Sequence, residues 1–214
     1  ADLVLELPSP YAMAPAERFA FGGVRLLESL GCVEAISFGC EAGAAEPLRR
    51  AAALEREEAF RQARAGYLRQ GITFAAAGQR AAQDCAPELA ELFAGPNNVL
   101  AMEYLRQLEA LGHPMQPLAV PRLGAGHDGA PAGGYASASY LRRHPEMWEQ
   151  YLPPAVLDTA RREQAAGRAV ASAEENGRGI LALVRRLGPE ERGRLPDLSE
   201  GLEHRLAKAA AQAR

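Results

Sequence analysis

Lysine is almost absent from this chain. Lys208 is the single one, and arginine supplies every other basic side chain. Cysteine is scarce as well: Cys32, Cys40 and Cys85 show no Cys-x-x-Cys spacing, which excludes a disulfide scaffold and points to a reducing compartment. Four histidines, His113, His127, His144 and His204, fall into no His-x-x-x-His or Cys/His pattern, so no structural zinc site and no protein-held metal is expected. Apolar runs long enough to span a bilayer are missing, as is a secretory-leader pattern, and the expectation is a cytoplasmic protein without a membrane partner. A net charge of -3 is too small to announce a polyanionic partner by itself.

What the chain does contain is an ordinary apolar share, 48% over 214 residues, enough for a sizeable core. Arginines crowd the last third, many of them near glutamates, the pattern of a solvated helical surface. The first two-thirds alternate strand and helix. Residues 2–7 read as a strand closed by Pro8 and Pro10, residues 33–38 as a second, and residues 117–122 as a third, with all three parallel in one sheet. Helices are expected over 14–30, with Gly31 as its C′ residue, over 45–70 in one or two pieces, over 73–85, from Pro87 through Phe93, and from Asn97 or Asn98 to Leu111. After a Gly/Pro/Ala-rich loop at 123–135, a short helix is expected over 137–143, and only helices follow: 146–152, 154–166, 177–187 and 199–213. The fold expectation is α/β, an incomplete Rossmann-like nucleotidyltransferase domain over 1–144 followed by an all-α domain over 145–214.

Four segments carry chemistry. Gly39 ends a strand, where open α/β sheets place ligands; it suits either a positive-φ turn or close approach of a nucleotide. Asn97 and Asn98 follow Gly-Pro. One asparagine is accounted for as a helix cap, worth about 1 kcal/mol, and a second carboxamide suits an adenine edge or a ribose. Arg122 leaves a strand beside the glycine-rich loop, where a guanidinium can grip a phosphate. In Ala136-Ser137-Ala138-Ser139-Tyr140-Leu141-Arg142, two hydroxyls gather at a helix N-terminus with an arginine one turn inside; an anion site and an ordinary serine cap both fit.

Taken in order, six segments resemble the bacterial tRNA(Met) cytidine acetate ligase family, within the nucleotidyltransferase superfamily that bears the HIGH signature. They are Asp2-Leu3-Val4-Leu5-Glu6-Leu7-Pro8, Ser37-Phe38-Gly39-Cys40-Glu41, Pro96-Asn97-Asn98-Val99-Leu100, Arg122-Leu123-Gly124-Ala125-Gly126-His127-Asp128, the Ser137-Ser139-Arg142 segment, and Ser199-Glu200-Gly201-Leu202-Glu203-His204-Arg205-Leu206. The resemblance implies activation of acetate by ATP to acetyl-adenylate, and acetyl transfer to N4 of the wobble cytidine of elongator tRNA(Met). It implies ATP contacts at Gly39, Asn97, Arg122, Leu123, Ser137, Ser139 and Arg142, with Mg²⁺ accompanying ATP. For tRNA it leaves Arg142, Arg143, Arg185, Arg186 and Arg205 as candidates. The family's histidine-containing phosphate loop and its basic C-terminal segment have no counterpart here, so no catalytic residue is assigned. The expectation is a truncated chain with weak ATP affinity and no acetylation of tRNA. Two alternatives accompany this reading: an adenylyltransferase for a pantetheine-type or small nucleotide substrate, and a catalytically inactive helical module that binds RNA or protein.

Overall fold

Residues 3–7 form no strand in the computed structural model, which describes residues 3–112, 114–122, 131, 133–170, 176–195, 198 and 201–213. The expectation of a strand over 2–7 is corrected for its described part, and the reason is pairing. A strand exists only beside another that takes its N–H and C=O groups, and among the described residues none lies next to this segment. Leu3, Leu5 and Leu7 instead border an apolar hollow with Phe19, Leu26, Leu27 and Leu30.

Pro10 lies in the first turn of α1 (Ser9–Ala12), where a missing N–H costs nothing. This turn packs on α2 (Ala16–Ser29) at Gly22, where an added Cβ would lie 2.5 Å from the Tyr11 ring. α2 ends as expected, with Gly31 in the left-handed region at φ 68° and its N–H bonded to the Glu28 carbonyl.

Strand β1 (Ala35–Cys40) pairs in parallel with β2 (Gln116–Pro121), from Ala35 opposite Gln116 to Cys40 opposite Pro121. These are the second and third expected strands, the former displaced by two residues. Ile36, Phe38 and Cys40 point into the core, while Ala35, Ser37 and Gly39 are exposed, so the period-2 alternation is strict. The crossover runs through α3 (Ala45–Leu54), α4 (Glu58–Arg69), α5 (Phe74–Cys85), a 3₁₀ segment at Pro87–Phe93 in place of the expected α-helix, and α6 (Pro96–Ala110). Their apolar faces close one core: Leu48 and Phe60 are fully buried, Met102 and Leu108 nearly so, and Phe93 stacks near Phe60 with ring centroids 5.4 Å apart. Leu48→Ala would cost about 2–5 kcal/mol, the transfer term plus the cavity left behind.

One charged group enters this core. Glu103 on α6 is buried; its Oε1 accepts from Arg106 Nη1 at 2.8 Å and its Oε2 has no partner among the described residues. Burial pushes its carboxyl above the usual range. Arg106 opposes that shift, and the negative charges of Glu55 and Glu17 reinforce it.

The chain divides into two compact units, Ala1–Leu123 and Gly124–Arg214, whereas the composition changes near residue 145. Apart from an isolated β-bridge residue at Tyr135, the regular elements described in the second unit are helices: α7 (Ala138–Arg143), α8 (Trp148–Tyr151) after a 3₁₀ turn at Pro145–Met147, α9 (Pro154–Ala165), α10 (Gly177–Arg186), α11 (Pro189–Gly193) and α12 (Leu202–Gln212). Trp148 is buried, and its indole N–H donates to the Leu141 carbonyl at 2.7 Å, tying α8 to α7. Arg185 on α10 donates to the carbonyls of Ala210 and Ala213 at 3.0 and 2.6 Å, closing the C-terminal end of α12. The fold is α/β, with two strands in the described sheet rather than three.

Candidate functional site

Parallel strands that run the same way end at the same edge. β1 and β2 therefore deliver Gly39 and Arg122 side by side, and the Arg122 N–H continues the ladder to the Cys40 carbonyl at 3.0 Å. Arg122 is exposed, and its Nη1 donates to Asn97 Oδ1 at 3.4 Å. A Cβ on Gly39 would meet the Arg122 side chain at 3.5 Å, an ordinary contact, and Gly39 is not among the positive-φ glycines. The expectation of a left-handed turn at Gly39 is corrected: it is the last-but-one residue of a regular strand. Gly39, Asn97 and Arg122 thus meet at the carboxyl edge of the sheet, the edge where such folds bind ligands.

Neither asparagine is the helix cap expected from sequence. α6 starts at Pro96, and its N-cap residue is Gly95, which has no side chain to offer. Glu41, in the segment leaving β1, does the capping. Its Oε2 accepts the Asn98 N–H at 2.8 Å, and its Oε1 accepts from Asn97 Nδ2 at 2.6 Å and from the Asn97 N–H at 3.4 Å. In return, Asn98 Oδ1 accepts the Ala42 N–H at 2.9 Å. A carboxylate here satisfies first-turn donors and opposes the positive end of the helix. The approach is so close that a Cβ on Gly95 would lie 2.7 Å from Glu41 Oε2, so a larger residue at 95 would push the capping carboxylate aside. Burial alone would raise the Glu41 carboxyl; the bonds from the Asn97 side chain and from the backbone N–H groups of Glu41, Asn98 and Asn97 outweigh it and hold the group below its ordinary range. Sequence reasoning missed Glu41. The available signal was an acidic residue one position past a strand, in a chain whose only Gly-Pro-Asn-Asn helix start lacks a capping side chain of its own.

Ser137, Ser139 and Arg142 belong to the second unit. Ser137 caps α7, its Oγ accepting the Tyr140 N–H at 3.1 Å. Arg142 Nη2 donates to Ser139 Oγ at 3.5 Å, and Arg143 Nε donates to the Ser139 carbonyl at 3.2 Å. Leu123, with the rest of the loop at 123–130, lies outside the described residues. All five arginines expected at an RNA surface, Arg142, Arg143, Arg185, Arg186 and Arg205, are exposed, but the Arg185 guanidinium is bonded to carbonyls at the end of α12.

A cavity of about 620 Å³ opens beside Cys32, Glu34, Pro114 and Gln116, at the amino end of the sheet. It lies at the opposite end of the strands from Gly39 and Arg122, and its described lining holds one thiol, Cys32, and one carboxylate, Glu34. Among the described residues no three His, Cys, Asp or Glu side chains come together to hold a metal ion. None of the described helices is long and apolar enough to cross a membrane.

Comparison with known proteins sets this geometry among relatives. A tRNA(Met) cytidine acetate ligase from Thermoanaerobacter sp. (strain X514) is 36% identical over 98% of this chain and 54% of its own length. One from Syntrophotalea carbinolica is 38% identical over 100% of this chain and 52% of its own length. The crystal structure of Thermotoga maritima TmcAL in apo form I superposes with a TM-score of 0.88 at 27% identity, covering 99% of this chain and 53% of that one. The form bound with alpha-thio ATP gives a TM-score of 0.85. This chain therefore spans about half the length of the relatives it matches. The model of the HIGH nucleotidyl transferase family matches residues 1–214, and the chain belongs to that family.

Proposed function

We propose that this chain carries the ATP-binding part of a tRNA(Met) cytidine acetate ligase, with the nucleotide seated at Gly39, Asn97 and Arg122. The observation that supports this most is the meeting of those three residues, far apart in sequence, at the carboxyl edge of a parallel sheet. The ligase names of the relatives and the nucleotide bound to the Thermotoga maritima protein agree with it. On the family resemblance alone, Leu123, Ser137, Ser139 and Arg142 remain proposed ATP contacts.

In the proposed reaction an acetate oxygen attacks the α-phosphorus of ATP and pyrophosphate leaves. The N4 amino group of cytidine then attacks the acetyl carbonyl and AMP leaves. Two anions meet in the first step, so positioning and charge neutralisation must dominate. Arg122 supplies positive charge at the nucleotide, and Arg142, Arg143, Arg186 and Arg205 offer phosphate contacts to the tRNA. For Mg²⁺ the described residues offer a poor ligand set: Glu41 is the carboxylate at this edge, and its oxygens already accept from Asn97 and Asn98. The ion belongs to this reading only as the counter-ion of ATP.

Titration calorimetry with ATP tests the nucleotide site, and absence of binding would overturn it. Pyrophosphate exchange into ATP that depends on acetate, followed by N4-acetylcytidine formation on elongator tRNA(Met), tests the reaction. Exchange that needs a pantetheine or a mononucleotide instead would assign the protein to the other adenylyltransferases.

A further inference from the structure

We infer that Glu41 is a positioning residue for the nucleotide site, acting through Asn97 to set the guanidinium of Arg122. The inference rests on the nucleotide reading above and adds to it a second role for the carboxylate that caps α6. A side-chain amide has two faces that differ only in which end is oxygen, and its neighbours decide the orientation. Asn97 lies between a carboxylate, which only accepts, and a guanidinium, which only donates. One orientation satisfies both: Nδ2 towards Glu41 Oε1 at 2.6 Å, Oδ1 towards Arg122 Nη1 at 3.4 Å. With Glu41 removed, only the long 3.4 Å contact from Arg122 is left among the described residues to turn the amide that way.

The relay has an electrostatic consequence. Arg122 has no carboxylate partner among the described residues; it leans on a neutral carbonyl oxygen, and the negative charge of Glu41 stands one side chain further back. A direct Glu–Arg pair would compete with an anionic ligand for the guanidinium. The intervening amide orients Arg122 while leaving its charge available for phosphate. Glu41 is itself fixed from behind, because its Oε2 is seated on the Asn98 N–H and Gly95 leaves room for it. Among the described residues the site thus joins a charged anchor, a neutral spacer and a cation without a carboxylate partner, in that order.

The test is a double-mutant cycle on ATP affinity with Glu41→Gln, Asn97→Ala and the pair, and with adenosine as the phosphate-free probe. Glu41→Gln should weaken ATP binding about tenfold and adenosine binding far less. In the Asn97→Ala background the same change should add almost nothing, because the relay is already cut. A plain helix cap predicts the opposite: Glu41 still holds the backbone N–H groups of Asn97 and Asn98 in that background, so its loss would remain additive and ligand-independent. Additive losses, or an unchanged ATP affinity in Glu41→Gln, would overturn the inference while leaving the nucleotide site standing. Wild-type protein that binds no ATP would instead remove the nucleotide site itself. Measurement on the wild-type fold guards against a variant that does not fold. The Asn97 side-chain amide protons, identified by their loss in Asn97→Ala, should exchange with solvent more slowly than those of exposed glutamines, and equal exchange would count against the relay.

Discussion

Glu41 and Asn98 grip each other across 57 positions of sequence: the carboxylate takes the Asn98 N–H at 2.8 Å, and Asn98 Oδ1 takes the N–H of Ala42, the residue after Glu41, at 2.9 Å. The pattern is reciprocal in the manner of a capping box, but its two halves come from different elements, so it fastens the end of β1 to the start of α6. Asn98 is only 3% exposed. Replacing it with alanine would leave the Ala42 N–H without its partner. Asn98→Ala is expected to lower stability by about 1–3 kcal/mol, measured as a shift in the urea midpoint with an unchanged slope.

The lowered carboxyl of Glu41 makes stability depend on acid. A folded-state value below the unfolded one contributes stability that is present above the ordinary carboxylate value of 4.5 and is lost as pH falls through the folded value. Glu41→Gln should therefore melt below wild type at neutral pH, and the two melting curves should draw together well below pH 4.5. A gap that stays constant with pH would show that its charge plays no part in capping α6.

Glu103 has the reverse sign. Its raised carboxyl means that the folded state holds the proton more tightly, so its contribution is fully present below the unfolded value of 4.5 and is lost as pH rises through the folded value. Glu103→Gln keeps an acceptor for Arg106 and removes the buried charge. Thermal melts should show the variant above wild type at neutral pH, with the advantage shrinking in acid. A destabilised Glu103→Gln at pH 7 would mean that the ion pair with Arg106 outweighs burial.

Arg122→Ala should weaken ATP binding by about 1.5–3 kcal/mol, the range for a charge-assisted hydrogen bond. Calorimetry on the variant reads this directly, and an unchanged dissociation constant would remove Arg122 from the site.

The arginines of the second unit separate by what they touch. Arg186→Ala or Arg205→Ala should weaken tRNA binding and lower the slope of log affinity against log salt by about 1 each if each meets one phosphate. Arg185→Ala should instead loosen α12, because its guanidinium closes the carbonyls of Ala210 and Ala213. Filter binding across a salt series, beside circular dichroism, distinguishes the two outcomes.

Local signals carried most of what was legible beforehand. Gly31 ends a helix because its own backbone can turn left-handed, and α6 opens close to its expected start, though at Pro96 rather than behind a cap at Asn97 or Asn98. Both facts lie within one or two residues. The strand expected at 2–7 failed because its alternation describes only one side of a bargain whose other side is a neighbouring strand. The spacing of Leu89, Leu92 and Phe93 fits a 3₁₀ segment as well as an α-helix, since both bring i and i+3 together. At the candidate site, Gly39, Asn97 and Arg122 were recognisable as residue types, yet the group that organises them was not. Glu41 acts on Asn97 from 56 positions away, and no periodicity within a helix reports a cap supplied by another element.

The indole of Trp148 gives the molecule a built-in optical label. It is the single tryptophan, it is 6% exposed, and it is fastened to the Leu141 carbonyl within the second unit. Emission excited at its red edge therefore follows the Ser137–Tyr151 region alone, while far-ultraviolet ellipticity sums the helices of both halves. Denaturation followed by both signals would report whether the sheet-bearing half and the helical half lose structure together: coincident midpoints mean one cooperative block, and separated midpoints mean two.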